Sequence, residues 1–383
     1  MRRVLHFFMV LGLCLFFSSA TFAEFPQVTQ RNFTSDDRRL DDPIDVSNQD
    51  ELTITSFNIR NLAARKRCLK DFEEIVDMVD ESDVVLIQEA GLGIYNDPPS
   101  EEDEIRLNAL VAVLQVNFGN GWVVTMPPVP SGSGGGIETA ILAYRTNCPG
   151  FELSGDWDGF VDLGDKRDMA VFKLILTKGT QSKEIYVGSV HLTPADPYRG
   201  QEMLKVADWL LSQGNNMAIA MGDFNWGYSR TSGVENYKGE NKVIELHQEE
   251  DLFQLFYHLS YIGGDSGDKL RTNMGFRSKG FFYDQLLMTP NLAGMLADGG
   301  SLQEDCGLLA FDLYSGAMRD TINYWRGKRE YGLEKFIRYS EIDVEDYQEA
   351  YDKSVKAVVD QSADDATFIL SDHRPIWMQL KVW

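Results

Sequence analysis

From position 52 onward, short β-type apolar runs alternate with stretches of helical period. Runs at 52–57, 84–88, 122–126, 139–144, 169–176, 185–190 and 217–221 have strand length and are rich in aliphatic and β-branched residues. Apolar positions at helical spacing predict helices over 68–79, 102–118 and 198–211, and 375–382 alternates as a closing strand. Elements mixed this way make the fold class α/β, or layered α+β. Short loops between several neighbouring strands predict frequent antiparallel pairing.

The pattern fails at both flanks of this region. Residues 24–51 are polar, with Asp36-Asp37-Arg38-Arg39 and Asp41-Asp42, and hold no sustained period, which predicts a mostly unstructured lead-in. After Asp284, which opens a further strand, comes a polar insertion of helical character over about 302–367. It is basic first (Arg319, Arg326, Lys328, Arg329) and acidic later (Glu341, Asp343, Glu345, Asp346). The glycine-rich run from Pro130 to Gly136 lacks the Lys-Ser/Thr of a phosphate loop and predicts a flexible hairpin connection.

Arg2 and Arg3 precede an apolar run from Val4 to Phe17 that gives way to small and polar residues ending at Ala23. That run is shorter than a membrane span, so 1–23 is read as a secretory signal and the chain as secreted or periplasmic. Three cysteines then remain, Cys68, Cys148 and Cys306, enough for at most one intramolecular disulfide and too scattered for a structural zinc site. The net charge of −23 becomes −25 once a signal with two arginines and no acid is removed. Such a charge argues against a high-affinity nucleic-acid binding module, whose footprint is a basic stripe. An enzyme working with divalent cations is less affected, because metal and salt screen the repulsion.

Polar residues recur at the ends of the apolar runs. Asn58, Glu89 and His191 each follow a strand; Asp223 and Asn225 follow another; Asp284 and Asp372-His373 precede two more. Singly, each is a turn or capping residue. Together they supply hard oxygen ligands for a magnesium-like ion, two histidines and an amide donor, the groups that phosphodiester hydrolysis needs.

On these residues the chain resembles the endonuclease/exonuclease/phosphatase superfamily, and within it the deoxyribonuclease I-like nucleases. The matching stretches include Phe57-Asn58-Ile59, Gln88-Glu89, Glu138, Arg167-Asp168, His191, Met221-Gly222-Asp223-Phe224-Asn225, Tyr283-Asp284-Gln285 and Ser371-Asp372-His373-Arg374-Pro375. They run in the family's order. The resemblance implies a four-layer sandwich, two packed mixed β-sheets flanked by helices, as a single domain over 52–383. It implies a metal held by Glu89, with Asn58 and Asp372 close by; magnesium is the expected ion, with manganese or calcium as alternatives. It also implies His191 and His373 on either side of the scissile phosphate, oriented by Glu138 and Asp284, with Asp223 aligning the attacking water and Asn225 and Arg167 on phosphate oxygens.

The departures concern substrate grip. Ala90-Gly91 stands where a groove-entering arginine belongs, Gly134-Gly135-Gly136 where an aromatic would stack on a sugar, and Trp226-Gly227-Tyr228 where a disulfide normally follows. The expectation is therefore a secreted, monomeric, metal-dependent nuclease that meets nucleic acid as substrate rather than as stable partner. Two alternatives are a phospholipid or inositol phosphate hydrolase of the same superfamily and an inactive binding protein with its fold. Tyr324-Trp325, beside basic residues, is the candidate membrane-facing feature of the lipid alternative.

Overall fold

The computed structural model describes residues 29–31, 50–62, 72–94, 101–128, 137–164, 167–194, 197–226, 234–254, 283–296, 306–309, 371, 373 and 375–383. Along the chain come β1 (Thr29–Arg31), β2 (Glu51–Leu62), α1 (Phe72–Asp77), β3 (Val84–Ile94), α2 (Glu101–Phe118), β4 (Trp122–Thr125), β5 (Ile137–Arg145) and β6 (Asn147–Cys148). There follow β7 (Phe151–Asp162), β8 (Asp168–Lys178), β9 (Gln181–His191), α3 (Tyr198–Ser212), β10 (Met217–Asp223), α4 (Val234–Gln248), β11 (Phe253–Gln254), β12 (Asp284–Met288), α5 (Pro290–Ala293), β13 (Cys306–Leu309) and β14 (Ile376–Lys381).

These strands make two seven-stranded sheets, ordered β1-β13-β14-β2-β3-β5-β4 and β11-β12-β10-β9-β8-β7-β6. Both are mixed: β2 pairs β3 in parallel and β14 antiparallel, while β10 pairs β9 in parallel and β12 antiparallel. The sheets face one another across a shared apolar core, with helices outside, as the layered α/β expectation requires.

Period-two alternation decides which residues enter that core. Leu52 and Ile54 on β2, Val84 and Leu86 on β3, Ala140 and Leu142 on β5, Ile185 and Val187 on β9, Ile219 and Met221 on β10, and Leu286 and Met288 on β12 all meet between the sheets. Each of these side chains larger than alanine contributes roughly 1.5–3 kcal/mol on leaving water. The opposite face of the second sheet, through Val190, Ala218, Ala220 and Leu287, packs against Met203, Val206, Ala207 and Leu210 of α3 and Val243 and Leu246 of α4. Residues three and four apart on α3 form that stripe, and Gly214, in the left-handed region at φ 57°, turns the chain just beyond its end.

Two short strands lie in the flanks. The lead-in expected to be mostly unstructured contains β1, which pairs in parallel with β13 from Thr29↔Gly307 to Arg31↔Leu309. The insertion expected to be helical opens with β13 itself, which pairs with β14. Both strands are only three or four residues long, too short for a period to show, and each takes its conformation from its partner. Residues 310–367, residues 1–28, which include the expected signal 1–23, and the glycine-rich 130–136 lie outside the described residues. Among described residues no helix is long and apolar enough to cross a membrane. Cys148 is a buried free thiol, held far above the ordinary cysteine range by burial and by the Asp83 carboxylate.

Candidate active site

At one rim of the sandwich the inward rows turn from apolar to polar. The row Leu52, Ile54 continues to Ser56 and Asn58; Ile185, Val187 continues to Ser189 and His191; Ile219, Met221 continues to Asp223; Leu142, Ala140 runs back to Glu138; and Met288, Leu286 runs back to Asp284. Register aligns them, with His191 opposite Asp223 on β9 and β10, and Asp223 opposite Asp284 on β10 and β12. Strands that bury aliphatic groups at every second position thus deliver functional groups to one place simply by continuing.

Glu89 needs an extra device, since alternation from Leu86 and Gln88 would turn it away from the core. It adopts φ 60°, and the β3–β5 register slips between Ile87↔Ile141 and Ala90↔Thr139. This bulge re-aims the side chain. Its carboxylate accepts from Asn58 Nδ2 at 3.2 Å and lies 3.7 Å from His191 Nε2.

Asp223 is the hub. Its Oδ2 accepts from Asn58 Nδ2 at 3.0 Å and faces His191 Nε2 at 3.6 Å and His373 Nε2 at 3.7 Å. Its Oδ1 accepts the Asn225 backbone N–H at 2.7 Å. Burial raises its pKa above the usual carboxylate value; His373 and His191 oppose the rise, and the neighbouring Asp284 adds to it. Gly222 allows this arrangement: at φ 143° it lies so close to β9 that a Cβ would come within 2.0 Å of the Val190 carbonyl oxygen.

Each histidine is backed by a carboxylate at Nδ1, His191 by Glu138 Oε1 at 2.7 Å and His373 by Asp284 Oδ2 at 2.8 Å. Both imidazoles are therefore set to donate Nδ1–H to the carboxylate and present Nε2 to Asp223. Arg167 also pairs with Glu138 and lies against His191 Nδ1. One Nδ1 cannot donate to a carboxylate and accept from a guanidinium together, so Arg167 acts on the ring as a neighbouring charge. Burial and Arg167 push His191 toward its neutral form, but Glu138 and Glu89 outweigh them and hold its pKa above the ordinary value.

The rim thus brings together Asn58, Glu89, Glu138, Arg167, His191, Asp223, Asp284 and His373. Asp372 lies outside the described residues. The two residues expected on phosphate oxygens have protein partners here. Asn225, at φ 48°, donates its side-chain Nδ2 to the Leu192 carbonyl at 2.7 Å, and the Arg167 guanidinium is drawn to the buried Glu138. Three residues given no role of their own from sequence support the rim. Gln88 and Ser189 hydrogen-bond between the sheets, and buried Glu202 of α3 accepts from Thr193 N at 2.6 Å and Thr193 Oγ1 at 2.8 Å. Their signal was available for Gln88 and Ser189, as polar residues on inward rows.

Among the described residues no group of three His, Cys, Asp or Glu side chains is arranged to hold a metal ion. The donor chemistry nevertheless fits a hard cation. Asn58 Nδ2 sits where the Glu89 and Asp223 carboxylates converge, while its buried Oδ1 has no hydrogen-bond partner. Turning the amide would exchange those two atoms and set an oxygen beside two carboxylates. Magnesium asks for no more than one or two carboxylates with waters.

No family model matches the chain, and no curated protein sequence matches it. Solved structures similar to it include truncated Caenorhabditis elegans TDP2, at 11% identity and TM-score 0.40, covering 86% of this chain and 97% of that one. The human Nocturnin catalytic domain with bound sulfate anion is similar at 13% identity and TM-score 0.42, covering 86% and 93%. An endonuclease/exonuclease/phosphatase family protein from Bacteroides thetaiotaomicron is similar at 13% identity and TM-score 0.42, covering 86% and 97%.

Proposed function

We propose that this chain is a metal-dependent phosphodiesterase that hydrolyses nucleic-acid phosphodiester bonds by attack of water. One observation carries the reading: two carboxylate-backed imidazoles present Nε2 to the same oxygen, Asp223 Oδ2, at 3.6 and 3.7 Å. A lone buried histidine with a carboxylate is ordinary core chemistry. Two that converge on a third carboxylate at a sheet rim form an acid–base site.

Asn58 and Glu89 would hold the cation, with Asp372 as the third ligand expected from sequence. When bound, the ion neutralises charge on the phosphate as the bond breaks. Asp223 aligns a water at Oδ2. His373, with its Nδ1–H directed at Asp284, offers Nε2 to take the water proton. His191 is held toward its charged form and donates Nε2–H to a phosphate oxygen or to the leaving oxygen. Asp284 and Glu138 fix the tautomers, each worth most when its ring is charged. Arg167, shared with Glu138, adds positive charge beside the phosphate position.

The reading is of a secreted enzyme that acts alone and with magnesium. The test is a panel assay of the purified chain with magnesium against plasmid DNA, RNA, sphingomyelin and a soluble phosphate monoester. Cleavage of DNA or RNA is expected. Release of phosphocholine or of phosphate from the monoester, with intact nucleic acid, would overturn the substrate class; no turnover by a folded chain would overturn the activity.

A further inference from the structure

One layer below the rim, the Gln88 side chain joins the two sheets. Gln88 lies on the inward row of β3, after Val84 and Leu86, and is buried. Its Nε2 donates to Ser56 Oγ at 3.0 Å within its own sheet and to Ser189 Oγ at 2.9 Å across the sandwich. Ser56 in turn donates to Gln88 Oε1 at 3.3 Å. All three residues are at most 4% exposed, in a layer otherwise filled by aliphatic side chains. Apolar contacts are non-directional and let facing sheets slide or part by small amounts, whereas a hydrogen bond of fixed length does not.

The position of this strut matters more than its strength. Gln88 immediately precedes Glu89 and pairs with Asn58 in the strand register, so its sheet carries the two cation-ligand candidates. Ser189 is two residues before His191 on the same face of β9, and Ser189 and His191 pair with Met221 and Asp223. The strut therefore spans the gap between the cation side of the site and the histidine side one layer below the Asn58–Asp223 and Glu138–His191 contacts that cross it at the rim.

We propose that Gln88 is a positioning residue whose cross-sheet bond to Ser189 sets the spacing between the cation-holding edge (Asn58, Glu89) and the proton-transferring edge (His191, Asp223). The proposal rests on the phosphodiesterase reading for its catalytic consequence, but not for its structural one. Displacement of reacting groups by about 1 Å can cost on the order of 100-fold in rate. Asn58 and Glu89 stay together on one sheet when the strut is cut, so affinity for a cation is retained while turnover falls.

Gln88→Leu, which keeps the volume, and Ser189→Ala, which removes only the cross-sheet partner, are compared with wild type in three measurements. In peptide hydrogen exchange without substrate, segments around 55–58 and 187–191 should exchange about tenfold faster in both variants, with 172–176 unchanged. In a Mn²⁺ titration by calorimetry, affinity should stay within about twofold of wild type. The kcat should fall by about 10- to 100-fold with KM little changed, the double variant should lose far less than the product of the two, and Ser189→Thr should retain most of the rate. Unchanged exchange in Ser189→Ala overturns the strut. Mn²⁺ affinity and melting temperature that fall together with kcat reduce Gln88 to an ordinary packing residue and also overturn it. A folded wild type without turnover on any panel substrate refutes the phosphodiesterase reading instead, and the exchange measurement then decides the strut alone.

Discussion

Gly222→Ala offers the sharpest test of how the fold builds the site. Gly222 pairs with Val190 across the parallel β9–β10 ladder, and an added Cβ would lie 2.0 Å from the Val190 carbonyl oxygen and 2.9 Å from its carbonyl carbon. Those atoms are backbone in a central strand, so no side chain can swing aside. The residue also has φ 143°, which L side chains rarely adopt. Backbone strain of this kind costs about 1–3 kcal/mol, and forcing an extra methyl into a packed position costs about as much again. Together they give about 2–6 kcal/mol, or on the order of 5–20 °C in melting temperature for a domain of this size. Relief by parting β10 from β9 would move Asp223 away from His191, so turnover should fall further than the remaining folded fraction explains. Thermal melting followed by circular dichroism, with kcat on the same preparation, measures both. A variant that melts within about 2 °C of wild type and turns over normally would refute the close-approach argument.

Other outcomes follow from the same geometry. Asp284→Asn should lower kcat less than loss of the His373 ring does, because the imidazole stays and only its charge support goes; equal losses in kinetics of the two variants would contradict this. Excess chelator should abolish turnover and added magnesium should restore it; full activity in chelator would exclude the cation role given to Asn58 and Glu89. Glu138→Gln removes the strongest influence raising the His191 pKa while burial and Arg167 remain, so the alkaline limb of the pH–rate profile should move to lower pH. Because the folded His191 pKa lies above its ordinary 6.5, its stabilising contribution is present below about pH 6.5 and is lost as pH rises through the folded value. The destabilisation by Glu138→Gln should therefore be largest in acid and shrink toward alkaline pH. Melting curves across pH 5 to about 9 would show the opposite trend if the sign were wrong.

The candidate site was largely legible in the sequence, because its residues lie at the ends of apolar runs that can be read one at a time. His191 and Asp223 close β9 and β10, and Asp284 opens β12, where strand periodicity ends. By contrast, β7 and α4 were poorly legible. In β7 the inward Phe151 and Leu153 are followed by Gly155 and Trp157 among acidic residues, so the alternation does not read as apolar. In α4 the buried apolar Val243 and Leu246 stand in a mostly polar helix. The bulge that turns Glu89 inward depends on a left-handed backbone at a glutamate, which residue type does not signal. The pairing of Arg167 with Glu138 was hidden for another reason: both had roles from the resemblance, and only three dimensions bring the cation against that carboxylate.

The central claim is that His191 and His373 act on one phosphate through their shared approach to Asp223, and a double-mutant cycle measures it most directly. His191→Ala and His373→Ala should each lower kcat by roughly 10²- to 10⁴-fold on the substrate the panel identifies, with melting temperatures close to wild type. The double variant should lose much less than the product of the two losses, since groups acting in one transition state are not additive. Near-wild-type turnover in either single variant, or losses that track melting temperature, would contradict the account.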